Sequence, residues 1–171
     1  YAVIRHGAGQ PVRLHVVIMG PAGNGKSTLG SALAGRLGLD FVEGDDCHPP
    51  ENIARMARGQ ALSDADRRPF LRNVARAMQA GQLGSVAACS ALKRPYRDLL
   101  RAELGDIVFV LPQVPAAELE RRLHNRPDHF MPSSLIASQL ATLEPGPRPG
   151  VAGRARAMLD REAQNYRAAM R

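Results

Sequence analysis

Tryptophan is absent from the sequence, and aromatic residues make up only 4% of its 171 positions. Proteins that bind single-stranded nucleic acid stack bases on aromatic side chains, so we expect no nucleic-acid partner despite a net charge of +7. The basic residues are spread along the chain, and a protein whose ligands are all anions also has a basic balance. No apolar run approaches the ~20 residues that cross a bilayer, and the first residues lack the apolar segment of a signal peptide. We therefore predict no membrane partner.

Cysteine and lysine are also scarce. Two cysteines, Cys47 and Cys89, form no disulfide framework, which favours a reducing, cytoplasmic location. Cys89 is equally consistent with a small buried apolar residue and with a reactive thiol. Of the 23 basic residues only Lys26 and Lys93 are lysines. Lys93 is therefore either a lysine retained by chance or a position where a compact ammonium group is needed.

The segment from Gly20 to Thr28 matches the phosphate-binding loop pattern, in which two glycines separated by four residues are followed by Lys and Ser. The apolar run His15–Met19 before it predicts a buried strand. Leu29, Leu33 and Leu37 after it predict one apolar face of a helix. Backbone amides of such a loop and of the first helical turn form an anion site. The predicted binding residues are Gly20, Pro21, Ala22, Gly23, Asn24, Gly25, Lys26, Ser27 and Thr28.

Two residues of this loop have further predicted roles. Lys26 is placed to reach the β- and γ-phosphates of a nucleotide, and the Ser27 hydroxyl is placed to bind Mg²⁺. The alternative is a glycine-rich turn that binds nothing, and the flanking strand and helix make it the weaker interpretation.

Acidic residues follow the second predicted strand. Residues 41–43 run into Asp45, Asp46 and His48, and α/β sheets bind their ligands where parallel strands end. A simple turn is the alternative for the two aspartates, but a phosphate site at the same sheet edge favours a function. His48 taken alone favours neither interpretation.

A second polar cluster, Ser90, Lys93 and Arg97, follows the third predicted strand, residues 85–89. Because parallel strands end at one edge of a sheet, this cluster is predicted to lie near the phosphate loop. Residues 107–111 form a fourth strand that is apolar throughout, which predicts a central, parallel position.

The helices between these strands carry many arginines. Ser63 is predicted to cap a helix that runs to about residue 80, with Asp66 at its third position. Its four arginines are interpreted as a solvated face rather than as ligands. They are Arg67, Arg68, Arg72 and Arg76.

Two more arginines, Arg122 and Arg126, end the helix opened by Pro115. They either stabilise the helix dipole or belong to a lid, about residues 122–133, that closes over a transferring phosphate. A last helix is predicted over about residues 152–170.

The alternation of strands and helices predicts the α/β class, as a three-layer P-loop NTPase fold like that of the nucleoside-monophosphate kinases. We expect a parallel sheet of four to five strands, flanked by helices and with a lid. The length suits one domain, residues 13–171, with residues 1–12 as an N-terminal extension.

About residues 13–146 resemble the small P-loop gluconokinases of the thermoresistant type. The phosphate loop is shared with many kinases, whereas the Gly-Asp-Asp-Cys-His-Pro segment and the stretch after the third strand are more specific. The matching segments are residues 20–28, 43–49, 62–67, 88–98, 129–131 and 138–145.

The resemblance implies a Mg²⁺-dependent transfer of the ATP γ-phosphoryl group to the 6-hydroxyl of D-gluconate. Asp45 matches an acid near the acceptor hydroxyl, as general base or orienting group, and Asp46 is a weaker candidate for a metal contact. Arg122 and Arg126 match the lid cations. The family is often dimeric, so we expect a homodimer. The residues implied to hold the sugar acid are Asp45, His48, Arg55, Lys93 and Arg97.

The C-terminal part departs from the family pattern. Residues 146–154 lack the β-branched run of the family's fifth strand, which lies beside the adenine base. That strand is either missing or replaced by the terminal helix. The helix before the third strand is also several residues shorter than the family's.

Two other functions fit less well. A shikimate-kinase-like enzyme would need three glycines where this chain has Cys89, Ser90 and Ala91. A non-catalytic nucleotide- or nucleic-acid-binding module is favoured slightly by the basic charge and the altered C-terminus. Such a module would not need Asp45, Lys93 or the lid arginines.

Overall fold

The computed structural model describes residues 13–112, 114–124 and 133–144. Four predictions fall outside them: the N-terminal extension, most of the lid with Arg126, the altered segment 146–154 and the C-terminal helix. The described elements, in chain order, are β1 Leu14–Ile18, α1 Lys26–Leu37, β2 Asp40–Glu43, a 3-10 turn Gly44–Cys47, α2 Pro50–Ala57, α3 Asp64–Gln79, β3 Gly84–Ala88, α4 Arg94–Leu104, β4 Ile107–Val110, α5 Ala116–His124 and α6 Ser133–Thr142.

The four strands form one parallel sheet in the order β2-β3-β1-β4. From β1 the chain runs to β2 and β3 on one side, and after β3 it crosses to β4 on the other side of β1. Ligands of α/β proteins bind where the direction of strand succession reverses in this way. The sheet thus predicts a binding site next to the end of β1.

Helices cover both faces of the sheet, as the three-layer prediction requires. Successive side chains of a strand point to opposite faces, so Val17 packs with α3 and α4 in one cluster, while Val16 and Ile18 pack with Ala34 of α1 in a second. In the part of the chain that the structure describes, no helix has the length and apolar character needed to cross a membrane.

The start of α3 follows the predicted capping pattern. The Ser63 hydroxyl accepts a hydrogen bond from the Asp66 N–H at 3.2 Å, and the Asp66 carboxylate accepts one from the Ser63 N–H at 2.9 Å. These reciprocal bonds satisfy two amides that a helix start leaves without intrahelical partners. The predicted solvated face is wrong for Arg67, which is half-buried and donates to the Leu62 carbonyl at 2.7 Å.

Two other packing predictions are wrong. Leu29 is 43% exposed, and the buried residues of α1 are Gly30 and Ala34. Only a glycine allows this approach, since a Cβ on Gly30 would lie 2.7 Å from the ring of Phe41. The apolar strand β4 is not central: among the described strands it pairs with β1 alone, and its residues are only half-buried.

Candidate active site

Four strand ends lie in register at one edge of the sheet. Ile18 of β1 pairs with Ala88 of β3 and Val110 of β4, and Ala88 pairs with Glu43 of β2. The loops that follow these residues therefore leave the sheet side by side. As predicted, the phosphate loop, the acidic turn and the loop carrying Lys93 all start from this edge.

The phosphate loop is held by its own side chains. Asn24 is almost fully buried, and its amide donates to the Met19 carbonyl at 2.9 Å while its oxygen accepts from the Lys26 N–H at 3.2 Å. The Lys26 ammonium donates to the Pro21 carbonyl at 2.9 Å. The loop root is tied to β3 by a bond from the Gly20 N–H to the Ser90 carbonyl at 3.0 Å. The loop is thus formed without a ligand, and Lys26 folds back over it.

Helix α1 begins at Lys26, two residues before the predicted start, so its first turn adjoins the loop. Gly25 precedes it with a φ of 83°, which favours glycine. Ser27 and Thr28 in the first turn are exposed. Free amides at a helix start bind anions, so the geometry suits a phosphate above Gly25.

The acidic turn Gly44–Cys47 packs closely against the end of β3. A Cβ on Gly44 would lie 2.3 Å from the Ala88 carbonyl oxygen, a separation that no side chain permits. This contact fixes the turn at the sheet edge, where Asp45 and Asp46 are exposed. Both carboxylates are therefore available to a ligand.

Cys89 lies beneath the site and resolves the two interpretations of its thiol. It is 1% exposed, and burial raises its pKa to about 12. The Asp45 charge adds to this rise, while the Lys26 charge opposes it. A thiol with so high a pKa is inert, so Cys89 is a packing residue. Its response to both charges places Asp45 and Lys26 around the same point.

Lys93 precedes α4 and forms a surface cluster with α3. Its ammonium lies 2.8 Å and 3.0 Å from the Asp64 carboxylate oxygens, and Tyr96 donates its hydroxyl hydrogen to the same carboxylate at 2.5 Å. Hydrogen bonds from Lys93 and Tyr96 lower the pKa of Asp64, and the bond to Asp64 raises the pKa of Lys93. Lys93 is thus charged and held in one direction.

The structure places Arg97 differently from the prediction. Its side chain is completely buried, and its guanidinium donates to the carbonyls of Ala91 and Leu92, each at 2.9 Å. Ala91 has a φ of 39°, an uncommon conformation for a residue with a side chain. Arg97 therefore supports the loop that carries Lys93, because a buried guanidinium cannot contact the substrate itself.

His48 and Arg55 lie around the start of α2. The His48 ring stacks on Phe70 with centroids 3.8 Å apart, and burial, assisted by the Arg67 charge and opposed by Asp45, lowers its pKa below 6.5. It is therefore neutral at pH 7. Arg55 is 3.5 Å from Asp66 and 48% exposed, so its guanidinium is accessible.

Arg122 of α5 lies beside the phosphate loop. A Cβ on Gly25 would lie 3.8 Å from one of its terminal nitrogens, and its Nε donates to Glu118 at 2.7 Å. Glu118 also accepts two bonds from Arg121, and these arginines lower the pKa of Glu118 to about 2. Arg122 is thus oriented near the predicted phosphate position.

The exposed oxygen groups fit a magnesium ion bound mainly through nucleotide and water. The described residues contain no group of three His, Cys, Asp or Glu side chains able to hold a metal. Mg²⁺ in kinases uses one or two protein ligands and keeps several waters, and the hydroxyl of Ser27 and carboxylate of Asp46 have the right chemistry.

Several residues of the site were not singled out from the sequence. Asp64 was predicted only as part of a helix start, and its contact with Lys93 joins positions 29 residues apart. No local pattern reports such a contact. The others are Tyr96, Glu118, Gln139 and Glu144, of which the last two lie in a segment used only for the family resemblance.

A parallel sheet with a phosphate loop at its switch point, an acidic turn and a cationic loop defines a P-loop kinase. A family model described as an AAA domain matches residues 16–146. The chain is 49% identical to gluconokinase of Gluconobacter oxydans over 133 residues, which are 75% of this chain and 74% of the relative. It is 41% identical to thermoresistant gluconokinase of Escherichia coli over 134 residues, or 76% and 77% of the two chains.

A solved structure gives the same result. The crystal structure of a gluconokinase from Sinorhizobium meliloti aligns with a TM-score of 0.73 and 40% identity, covering 92% of this chain and 98% of the other. The chain belongs to the gluconokinase family. The predicted fold class and family are confirmed, and the shikimate-kinase-like and non-catalytic alternatives are not favoured.

Proposed function

We propose that this chain is an ATP-dependent gluconokinase, which converts D-gluconate and ATP to 6-phospho-D-gluconate and ADP. The 49% identity to a gluconokinase over three quarters of both chains carries this proposal. In the reaction, the 6-hydroxyl oxygen forms a bond to the γ-phosphorus, the bond from that phosphorus to the bridging oxygen breaks, and the hydroxyl proton leaves with the base. A cytoplasmic homodimer is part of the proposal, and size-exclusion chromatography with light scattering tests its stoichiometry.

The phosphate loop and Arg122 supply positive groups where charge develops. Phosphoryl transfer depends mainly on positioning and electrostatic stabilisation. The backbone amides of residues 23–28 would bind the phosphates, and Lys26 would turn from the Pro21 carbonyl to the β- and γ-phosphates. Ser27 and Asp46 would hold Mg²⁺, which neutralises phosphate charge. Arg126 would join Arg122 as a second lid cation.

The sugar acid would lie between the acidic turn and the loop carrying Lys93. Asp45 would accept the proton of the 6-hydroxyl or orient that group. Lys93, Arg55 and the neutral His48 would bind the carboxylate and the other hydroxyls, since a carboxylate needs at least one cation. Arg97 would act indirectly, by holding the backbone of the Lys93 loop.

The proposal is tested by measuring ADP release from ATP and Mg²⁺ with gluconate, shikimate, glucose or no acceptor. Turnover with gluconate alone is expected. Turnover with shikimate or glucose in preference to gluconate would contradict the substrate assignment, and folded protein without turnover on any acceptor would contradict the kinase assignment.

Replacing Lys93 by alanine is expected to raise the KM for gluconate about tenfold or more, because a charge-assisted hydrogen bond to the substrate is lost. The KM for ATP is expected to change much less. Arg94→Ala is the matched control, since Arg94 is the adjacent, exposed cation. A larger effect of Lys93→Ala on the KM for ATP would reassign Lys93 to the nucleotide.

Replacing Arg122 by alanine is expected to lower kcat about 10²-fold, as removal of one preorganised donor commonly does. Arg121→Ala is the control: Arg121 binds the same Glu118 carboxylate but has no predicted role. Steady-state kinetics at saturating ATP and gluconate separate the two variants. Equal losses in both would indicate that the arginines only stabilise α5.

A further inference from the structure

The C-terminal part of α6 contacts two of the loops that form the site. At one end, the side-chain oxygen of Gln139 accepts a hydrogen bond from the Ala22 N–H at 2.7 Å. At the other end, Glu144 follows the helix and contacts the loop after β3. The segment Gln139–Glu144, called the α6 brace below, thus spans from the phosphate loop to the loop of Lys93.

The contact at Glu144 has three hydrogen bonds. The Glu144 N–H donates to the Leu92 carbonyl at 3.0 Å, and the Glu144 carboxylate accepts from the Arg94 N–H at 2.5 Å. The Glu144 carbonyl accepts from buried Arg97 at 3.4 Å. A carboxylate at the first amide of α4 is favoured by the helix dipole. These bonds tie the brace to both sides of Lys93.

Each anchor serves a loop with a different ligand. Ala22 belongs to the predicted phosphate loop, whereas Lys93 belongs to the predicted sugar-acid site. The loop roots are already joined through the bond between Gly20 and Ser90, but that bond lies at the sheet edge and leaves the outer parts of the loops unlinked. The brace joins them there.

We propose that the α6 brace sets the separation between the phosphate loop and the Lys93 loop, with Gln139 and Glu144 as positioning residues. The proposal rests on the proposed function, in which these loops hold the two reactants. A misplacement of about 1 Å between reacting groups reduces a rate about 10²-fold. Loss of either anchor should therefore lower kcat while each separate binding site persists.

A double-mutant cycle tests this proposal. Gln139→Met removes the acceptor with little change in length, and Glu144→Ala removes the carboxylate. Each variant is expected to lower kcat about tenfold or more, with both KM values changed by less than about threefold. Because a brace released at one end no longer fixes the separation, the double variant should be no slower than the slower single one. Glu144→Gln keeps an acceptor oxygen and should restore most of kcat.

Two kinetic outcomes would overturn the brace. If the two losses multiply, the anchors act independently. If only the melting temperature falls, or if only KM rises, the contacts are structural or belong to one binding site. Ser138→Ala, an exposed neighbour on α6, is the control and should leave kcat unchanged.

Hydrogen exchange followed by NMR separates the brace from the proposed function. In Glu144→Ala, the Ala22 amide is expected to exchange faster although its own partner is intact, and in Gln139→Met the Arg94 amide is expected to do the same. Unchanged exchange at the distant anchor would refute the brace even in an active kinase. Wild-type protein that phosphorylates no gluconate would refute the function, while exchange would still decide the brace.

Discussion

Lys26→Ala is expected to lower kcat about 10³-fold or more while the protein remains folded. Lys26 is the phosphate-loop lysine, and its ammonium lies 2.9 Å from the Pro21 carbonyl, within the loop that would hold the phosphates. Charge stabilisation at a transferring phosphoryl group is worth several powers of ten in rate. The measurement is kcat at saturating ATP and gluconate, with circular dichroism to confirm the fold.

Lys26→Arg is the matched variant, because it keeps the charge but replaces a compact ammonium by a planar fork. We expect it to restore little activity, since the loop geometry suits the smaller group. Normal kcat in Lys26→Ala would refute the proposed role of the phosphate loop. Lys93→Ala, the change at the other lysine, should instead act mainly on the KM for gluconate.

Asp45→Asn is expected to lower kcat about 10²- to 10⁴-fold if the carboxylate accepts the proton of the 6-hydroxyl. The side chain is exposed at the sheet edge, and its charge acts together with that of Lys26 on buried Cys89. Asparagine has nearly the same shape but is not a base. A change confined to KM would identify Asp45 as a binding residue instead.

Asp46→Asn is the comparison for Asp45, because both residues lie exposed in the same turn. If Asp46 contacts the metal, a higher Mg²⁺ concentration should recover part of its activity, whereas Asp45→Asn should show no such recovery. Recovery in Asp45→Asn alone would exchange the two assignments. The readout is kcat as a function of Mg²⁺ concentration.

Much of the sheet edge could be predicted because its signals are local. The phosphate-loop pattern, the apolar run before it and the Ser63 cap each depend on residues close together in the chain, and the structure has all three. Parallel strands then bring their ends to one edge, so the acidic turn and the Lys93 loop were correctly placed. Their catalytic and binding roles stay predictions.

Burial was harder to predict than element type. Leu29 has the spacing of a core residue but is exposed, because the ring of Phe41 packs on Gly30 instead. Arg97 has the composition of a ligand but is buried under backbone carbonyls. In both cases the neighbour that decides the environment is a residue from another part of the chain.

The sequence by itself determined the fold class, the phosphate loop and the family, since each follows from short patterns and their order. The tertiary structure alone decided which groups meet: Asp64 with Lys93, Arg122 with the phosphate loop, and Gln139 with Ala22 across 117 positions. Hydrogen bonds and ion pairs act over a few ångströms. Pairs so distant in the chain form only when the packing of helices on the sheet brings them together.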